Sequence, residues 1–153
     1  MSKLSHARLR PPAVLAALVT LLSTLLIGVN SAPAEAATAL GQRAVAEASR
    51  HQGQPYVYGA AGPTRFDCSG FTLYVYGRFG KQLTHNAAGQ YSQVRHIPWG
   101  AKAIGDLIFM RDGGGIGHVG IYAGGNRWWV APHSGTSVKL QTLYSSDYVV
   151  GRP

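Results

Sequence analysis

The apolar residues of this chain change their period near Pro98, and that change narrows the folds open to it. Before it, Leu40, Ala44, Val45 and Ala48 recur at helical spacing, so residues 40–52 read as an amphipathic helix ending ahead of Gly53-Gln54-Pro55. Phe71, Tyr74, Val75 and Phe79 mark the apolar face of a second helix that starts at Cys68, with Gly80 as its stop. Residues 86–93 fit a short third helix, and residues 56–58 a short extended piece. After Pro98, residues 107–110, 118–122, 127–131 and 148–150 read as strands, and Val138 and Leu140 alternate with polar neighbours. Glycine-rich turns join them, the first over residues 111–117. Helices first and hairpin-connected strands afterwards predict an α+β domain, with helices packed on one face of an antiparallel sheet.

The N-terminal segment has a different character. Lys3, Arg8 and Arg10 precede an uncharged apolar run over residues 13–29, followed by Ala32-Pro33-Ala34-Glu35-Ala36-Ala37. A basic stretch, an apolar stretch and small-residue cleavage positions are the three parts of a secretory signal. Residues 1–37 are therefore read as a signal peptide cut near Ala34 to Ala37, and residues 38–153 as one catalytic-size domain. Left uncut, the apolar run would be the chain's one route into a membrane. Three of the 14 basic residues and one of the 6 acidic ones fall before residue 38, so the remainder carries 11 against 5, or +6. These charges are scattered rather than gathered in a stripe, which argues against nucleic-acid binding. Diffuse positive charge suits retention by an anionic cell envelope.

Cys68 is the one cysteine in the chain. In an exported protein it has no internal disulfide partner, so the thiol stays free. A free cysteine can be a small buried hydrophobe, but Phe66-Asp67-Cys68-Ser69-Gly70 places this one where loop becomes helix. There the helix dipole and unpaired backbone N–H groups favour a thiolate, and the same groups can receive a developing oxyanion. Gly70 would keep the approach open. A thiolate nucleophile needs a histidine partner, and His118, at the start of a strand, is the best candidate. Val119 and Ile121 would anchor the core, leaving the face with His118 and Gly120 towards the helix of Cys68, Gly120 making room for a ligand. His51, His85 and His96 fall in helix ends or loops and read as solvated. No Cys-x-x-Cys or His-Glu-x-x-His spacing is present, so no metal site and no cofactor are expected. Trp128 and Trp129 alternate across a strand, so one is expected buried, and the other either stacks on a glycan or peptide or packs the strand against a neighbouring loop.

Four motifs, Pro55-Tyr56-Val57-Tyr58-Gly59, Phe66-Asp67-Cys68-Ser69-Gly70-Phe71, Gly105-Asp106-Leu107-Ile108-Phe109 and His118-Val119-Gly120-Ile121-Tyr122, occur in an order and spacing that resembles the NlpC/P60 family. The resemblance runs from about Ala44 to Gly151. It implies a papain-like cysteine peptidase of bacterial cell-wall peptides, with Cys68 as nucleophile and His118 as general base and acid. It further implies that Tyr56 binds the reacting carbonyl, that Asp67 and Ser69 hold the amino end of a stem peptide, and that Gly105-Asp106 is a structural turn. Asp67 also suits a helix N-cap.

One position departs from that family. Members usually carry a polar residue twelve positions after the base histidine, to orient the imidazole; here Val130 stands there. Valine has no side-chain hydrogen bond to offer. The chain then works as a Cys/His dyad, uses a water or a backbone carbonyl, or recruits His133 from three residues further on. The expectation is a secreted, extracellular or wall-associated monomer that hydrolyses peptidoglycan stem peptides or muropeptides, at the D-γ-glutamyl–diamino acid bond by resemblance. Its rivals are an inactive peptide-binding module, and an amidase or acyltransferase with the same Cys/His chemistry.

Overall fold

The computed structural model describes residues 32–145 and 147–153. Most of the expected signal segment lies outside the described residues, while the expected cleavage region falls within the first turns of helix α1 (Ala32–Ser49). Helix α2 covers Cys68–Gly77 and α3 covers Ala87–Gln93. The strands are β1 (Arg95–Ile97), β2 (Leu107–Asp112), β3 (Gly115–Gly124), β4 (Arg127–Val130), β5 (Lys139–Thr142) and β6 (Tyr148–Arg152). They form one antiparallel sheet in the order β1-β6-β2-β3-β4-β5. Among the described residues no helix is long and apolar enough to cross a membrane.

The helices lie on one face of this sheet. Ala44 and Ala48 of α1, Phe71 and Val75 of α2 and Ala87 of α3 are buried against Phe109, Val119, Ile121 and Trp129. The opposite face has its own cluster, in which Ile108, Trp128, Val130, Tyr148 and Val150 are covered by Leu143. Both tryptophans are therefore buried, one on each face, and neither is free to stack on a ligand. The alternation was legible, but the cover on the second face comes from a loop with no period of its own.

Other boundaries differ from expectation for local reasons. Helix α1 starts well before residue 40, because the alanine-rich stretch behind it is good helix former. The first hairpin turns over Asp112–Gly115, much tighter than residues 111–117, since Gly113 and Gly114 both hold positive φ. Strand β1 was not expected. Its three residues pair only with β6 at the sheet edge, and their burial shows no clean alternation. His51 is buried rather than solvated, edge-on to Phe66 and Tyr74 with both ring centroids at 5.1 Å, and its Nδ1 meets Gln54 Oε1 at 2.9 Å.

Close approach dictates several glycines. A Cβ at Gly105, where φ is +90°, would lie 2.1 Å from Gly41 Cα, so the turn ahead of β2 can press against α1 only without side chains. The Tyr76 hydroxyl donates to the Gly105 carbonyl, and Asp106 receives Arg152 through Nε at 2.6 Å and a second nitrogen at 2.8 Å. Gly105-Asp106 is thus the structural turn expected. Gly70 and Gly120 are not the ligand openings they were read as. A Cβ on Gly70 would meet the Ala60 carbonyl oxygen at 2.1 Å, and one on Gly120 would meet the Trp128 ring and the Trp129 carbonyl oxygen, each at 2.7 Å. Both glycines admit protein rather than substrate. Gly70→Ala is expected to cost about 1–3 kcal/mol in urea unfolding, because the obstructing atom is backbone and has no rotamer to escape into.

Candidate active site

Cys68 is the first residue of α2, and Asp67 caps that helix. Asp67 is in extended backbone and its Oδ1 accepts from Gly70 N at 2.7 Å, the usual bond between an N-cap and the third helical position. The same carboxylate accepts from Gly59 N at 2.8 Å and Ser69 Oγ at 3.3 Å, and His85 Nε2 lies 2.9 Å from both of its oxygens. Loop, helix and the α2–α3 connection thus converge on one buried carboxylate. Ser69 is held twice more through its carbonyl oxygen, by Thr72 Oγ1 at 3.0 Å and Gln90 Nε2 at 2.8 Å. Gln90 is fully buried and also donates to the Thr84 carbonyl at 2.8 Å, which fixes the connection carrying His85.

Cys68, His118, Tyr56, Asp67 and Ser69 all line one cleft of about 400 Å³, together with His85 and Pro132. The route by which His118 arrives differs from the expected one. Val119 and Ile121 point into the core beneath the helices, so His118 shares its face with Trp128 on the other side. The His118 and Trp128 rings meet edge to face with centroids 5.6 Å apart. His118 lies on the lip of the cleft, flanked by Gly117, where β3 passes the first turn of α2.

The electrostatics favour a neutral pair at rest. Burial, and then the Asp67 charge, push the Cys68 thiol up, while the N–H groups of Ser69, Val119 and Cys68 itself pull it back only in part. Burial pushes His118 down to about 4, with the nearby His133 adding to the fall. The helix N-terminus is present as expected, yet desolvation and the capping carboxylate outweigh it. Tyr56 is pushed up by burial and by the charges of Cys68 and Asp67, so its hydroxyl remains a donor.

His133 sits in the neighbouring hollow with His118, but its Nδ1 faces the Ser134 carbonyl oxygen at 2.9 Å. Among the described residues no hydrogen bond joins it to His118, and its influence there is one of charge. Val130 is wholly buried against Trp128 and Ile108. His85 is the residue that sequence reasoning missed. Its side chain is partly exposed in the cleft, and the one signal for it was a carboxylate beside Cys68 that a buried site must pair. Among the described residues no group of three or more His, Cys, Asp and Glu side chains could hold a metal.

A profile of the NlpC/P60 family matches residues 53–150. The chain belongs to the NlpC/P60 family. It is 42% identical over 116 residues to the probable endopeptidase p60 of Listeria grayi, covering 76% of this chain and 23% of that protein. It is 32% identical over 126 residues to the bifunctional muramidase/DL-endopeptidase CwlT of Bacillus subtilis, covering 79% and 38%. The crystal structure of the NlpC/p60 domain of the peptidoglycan hydrolase SagA superimposes with a TM-score of 0.67 at 38% identity, covering 72% of this chain and 97% of that one. The chain thus spans less than half the length of these curated relatives, and its α+β architecture is that of NlpC/P60 domains.

The capping carboxylate makes this NlpC/P60 site testable through its thiol. The pH at which iodoacetamide alkylation of Cys68 reaches half its limiting rate should lie above that of an ordinary thiol. Asp67→Asn keeps an oxygen for the Gly70 cap but removes the charge, so it should lower that pH. An unchanged profile would show that Asp67 does not govern the thiol.

Proposed function

We propose that this chain is a secreted cysteine-type endopeptidase that hydrolyses stem-peptide amide bonds of bacterial peptidoglycan. The observation that carries the reading is that Cys68, at a helix N-terminus, and His118 line one cleft with Tyr56. Family membership and relatives named as endopeptidases and peptidoglycan hydrolases support it. The bond is the D-γ-glutamyl–diamino acid link, on the strength of the resemblance and of a relative named DL-endopeptidase.

The neutral resting pair sets the order of events. As the substrate carbonyl enters, His118 takes the thiol proton and the Cys68 sulfur attacks the carbonyl carbon. The oxygen gains the negative charge, and the N–H groups around Cys68, with the Tyr56 hydroxyl, are the donors available to it. His118 returns its proton to the nitrogen, the C–N bond breaks, and a thioester remains on Cys68. Water then adds to the thioester, giving a proton to His118. Expulsion of the sulfur releases the acid, and the proton passes back to the thiol. Asp67 and Ser69 shape the acyl side of the cleft, and an ammonium end would have to share the Asp67 carboxylate with His85.

Val130 favours a dyad in which packing against Trp128 and the charge of His133 condition the base. The same substitution favours the rival reading, a peptide-binding module without turnover. Mass spectrometry of defined muropeptides incubated with the chain and with Cys68→Ala separates the two. A Cys68-dependent cut between D-glutamate and the diamino acid is expected; retained binding by both proteins with no cut would leave only the module.

The pH dependence follows from the sign of the shift. His118 must be neutral to accept the thiol proton, and its lowered value keeps it neutral down to about 4. The acid limb of kcat/KM should therefore fall near that pH, well below the ordinary imidazole range. His133→Ala removes a charge that opposes the imidazolium, so the limb should move to higher pH. A limb that stays in place would remove His133 from the account of the base.

A further inference from the structure

The basic residues are scattered in the sequence, yet Arg43, Arg50 and Arg78 meet in the fold, away from the cleft. Arg43, Glu47 and Arg50 stand at i, i+4 and i+7 on α1 and so share one face of that helix. Arg78, the C-cap of α2, reaches the same place, its Nε 3.5 Å from Glu47 Oε1. With Phe79 these residues line an open hollow of about 370 Å³. Cys68 is at the other end of α2, and the ten residues of that helix, at about 1.5 Å each, put the hollow roughly 15 Å from it along the axis.

Charge in this hollow is unbalanced. Its guanidiniums face one carboxylate, since Glu47 is the only acid that lines it. That carboxylate is buried and already partnered: Arg50 donates to Oε2 at 2.8 Å, and His51 Nε2 lies 3.4 Å from Oε1. Burial works against its charge, but Arg50, His51 and Arg78 together hold it below the usual carboxylate range. Glu47 therefore anchors the arginines from beneath without cancelling them. The side chains of Arg50 and Arg78 stay 74% and 58% exposed while paired, so each still offers donors to solvent. Among the described residues Arg43 has no carboxylate partner. Its guanidinium lies over the Phe79 ring, 4.7 Å from the centroid, a contact that orders it and leaves its N–H donors unused.

This arrangement selects its ligand. A planar fork of donors matches phosphate oxygens, and several forks around one open hollow favour a chain of anions over a single ion. The one aromatic ring lining the hollow is covered by Arg43, so no platform is left on which a nucleic-acid base would stack. We propose that the hollow docks a base-free phosphodiester polymer of the cell envelope, with Arg43, Arg50 and Arg78 taking its phosphates. The inference goes beyond the endopeptidase reading and does not depend on it. A polymer held at the far end of α2 leaves the cleft open and keeps the chain beside the wall.

The test is calorimetric titration of the full chain with soluble poly(glycerol phosphate), and with polygalacturonate as a carboxylate polymer. The double variant Arg43→Gln/Arg50→Gln should weaken poly(glycerol phosphate) binding about tenfold, the scale of one charge-assisted contact or more. Arg95→Gln/Arg127→Gln removes the same charge from β1 and β4 and should change it by less than about twofold at physiological salt. Equal weakening by the two pairs would reduce the hollow to the overall charge of the protein and overturn the proposal. Polygalacturonate bound as tightly as the phosphodiester, a single-stranded oligonucleotide bound more tightly, or no binding at all would overturn it too. The Arg50 change leaves Glu47 facing His51 and Arg78, and unchanged circular dichroism would verify the fold. Should the double variant fail to fold, Arg43→Gln alone breaks no ion pair and should still weaken binding about threefold. Binding is read without turnover, so failure of the endopeptidase reading would leave this result standing, and failure of the docking would leave the cleft chemistry untouched.

Discussion

The Asp67 carboxylate is the point on which the cleft depends. A buried carboxylate is tolerated only when its oxygens are met by donors, and leaving one donor out exposes the full desolvation penalty. Here the donors come from the loop at Gly59, from Ser69 and Gly70 in the first turn of α2, and from His85 beyond α2. Satisfying the charge therefore brings three separate segments to fixed positions around the sulfur. Gly70 must be glycine for the loop at Ala60 to come close enough to take part. The same charge acts against ionisation of Cys68, because it raises the thiol it positions. Geometry and activation conflict at this residue, and geometry prevails.

His118 is held by a second, apolar device. Burial on the Trp128 face, together with Val130 behind that ring, leaves the His118 imidazole in a site that disfavours its cation. A polar orienter at position 130 would have stabilised the imidazolium through the second ring nitrogen. Valine stabilises nothing of the kind, and it packs the sheet face instead. The ring's environment is thus set by shape rather than by a side-chain hydrogen bond from position 130, and in the proposed reaction the proton it would take from Cys68 is one it would readily give up to a leaving nitrogen.

Much of this architecture was legible because two periods dominate the sequence. The apolar residues of α1 and α2 repeat at helical spacing, those of β2 and β3 form short apolar runs, and the glycine turns separate them. The cysteine at a loop-to-helix junction was equally visible, since Asp67 and Gly70 signal an N-terminus. What stayed hidden depended on tertiary contact. Strand β1 takes its form from β6 at the other end of the chain, and His51 gains its aromatic surroundings from residues 15 to 23 positions away. The face on which His118 lies was misread because a strand buried on both sides shows no polar face to mark its direction. The contact of His85 with the site was missed because its partner, Asp67, is 18 residues distant and had already been given a local role.

The neutral resting pair has a consequence outside catalysis. Oxidants attack the thiolate far more readily than the thiol. For a chain acting outside the cell, as proposed, a permanently ionised and partly open cysteine would be lost to sulfenic and higher acids with no partner cysteine to rescue it. Burial and Asp67 favour the protonated sulfur, and in the proposed reaction the proton leaves only when a substrate is present and His118 takes it. On the proposed mechanism the carboxylate that opposes ionisation of the thiol would thus preserve it between turnovers, and activation would be confined to the moment when a carbonyl is in place to consume it.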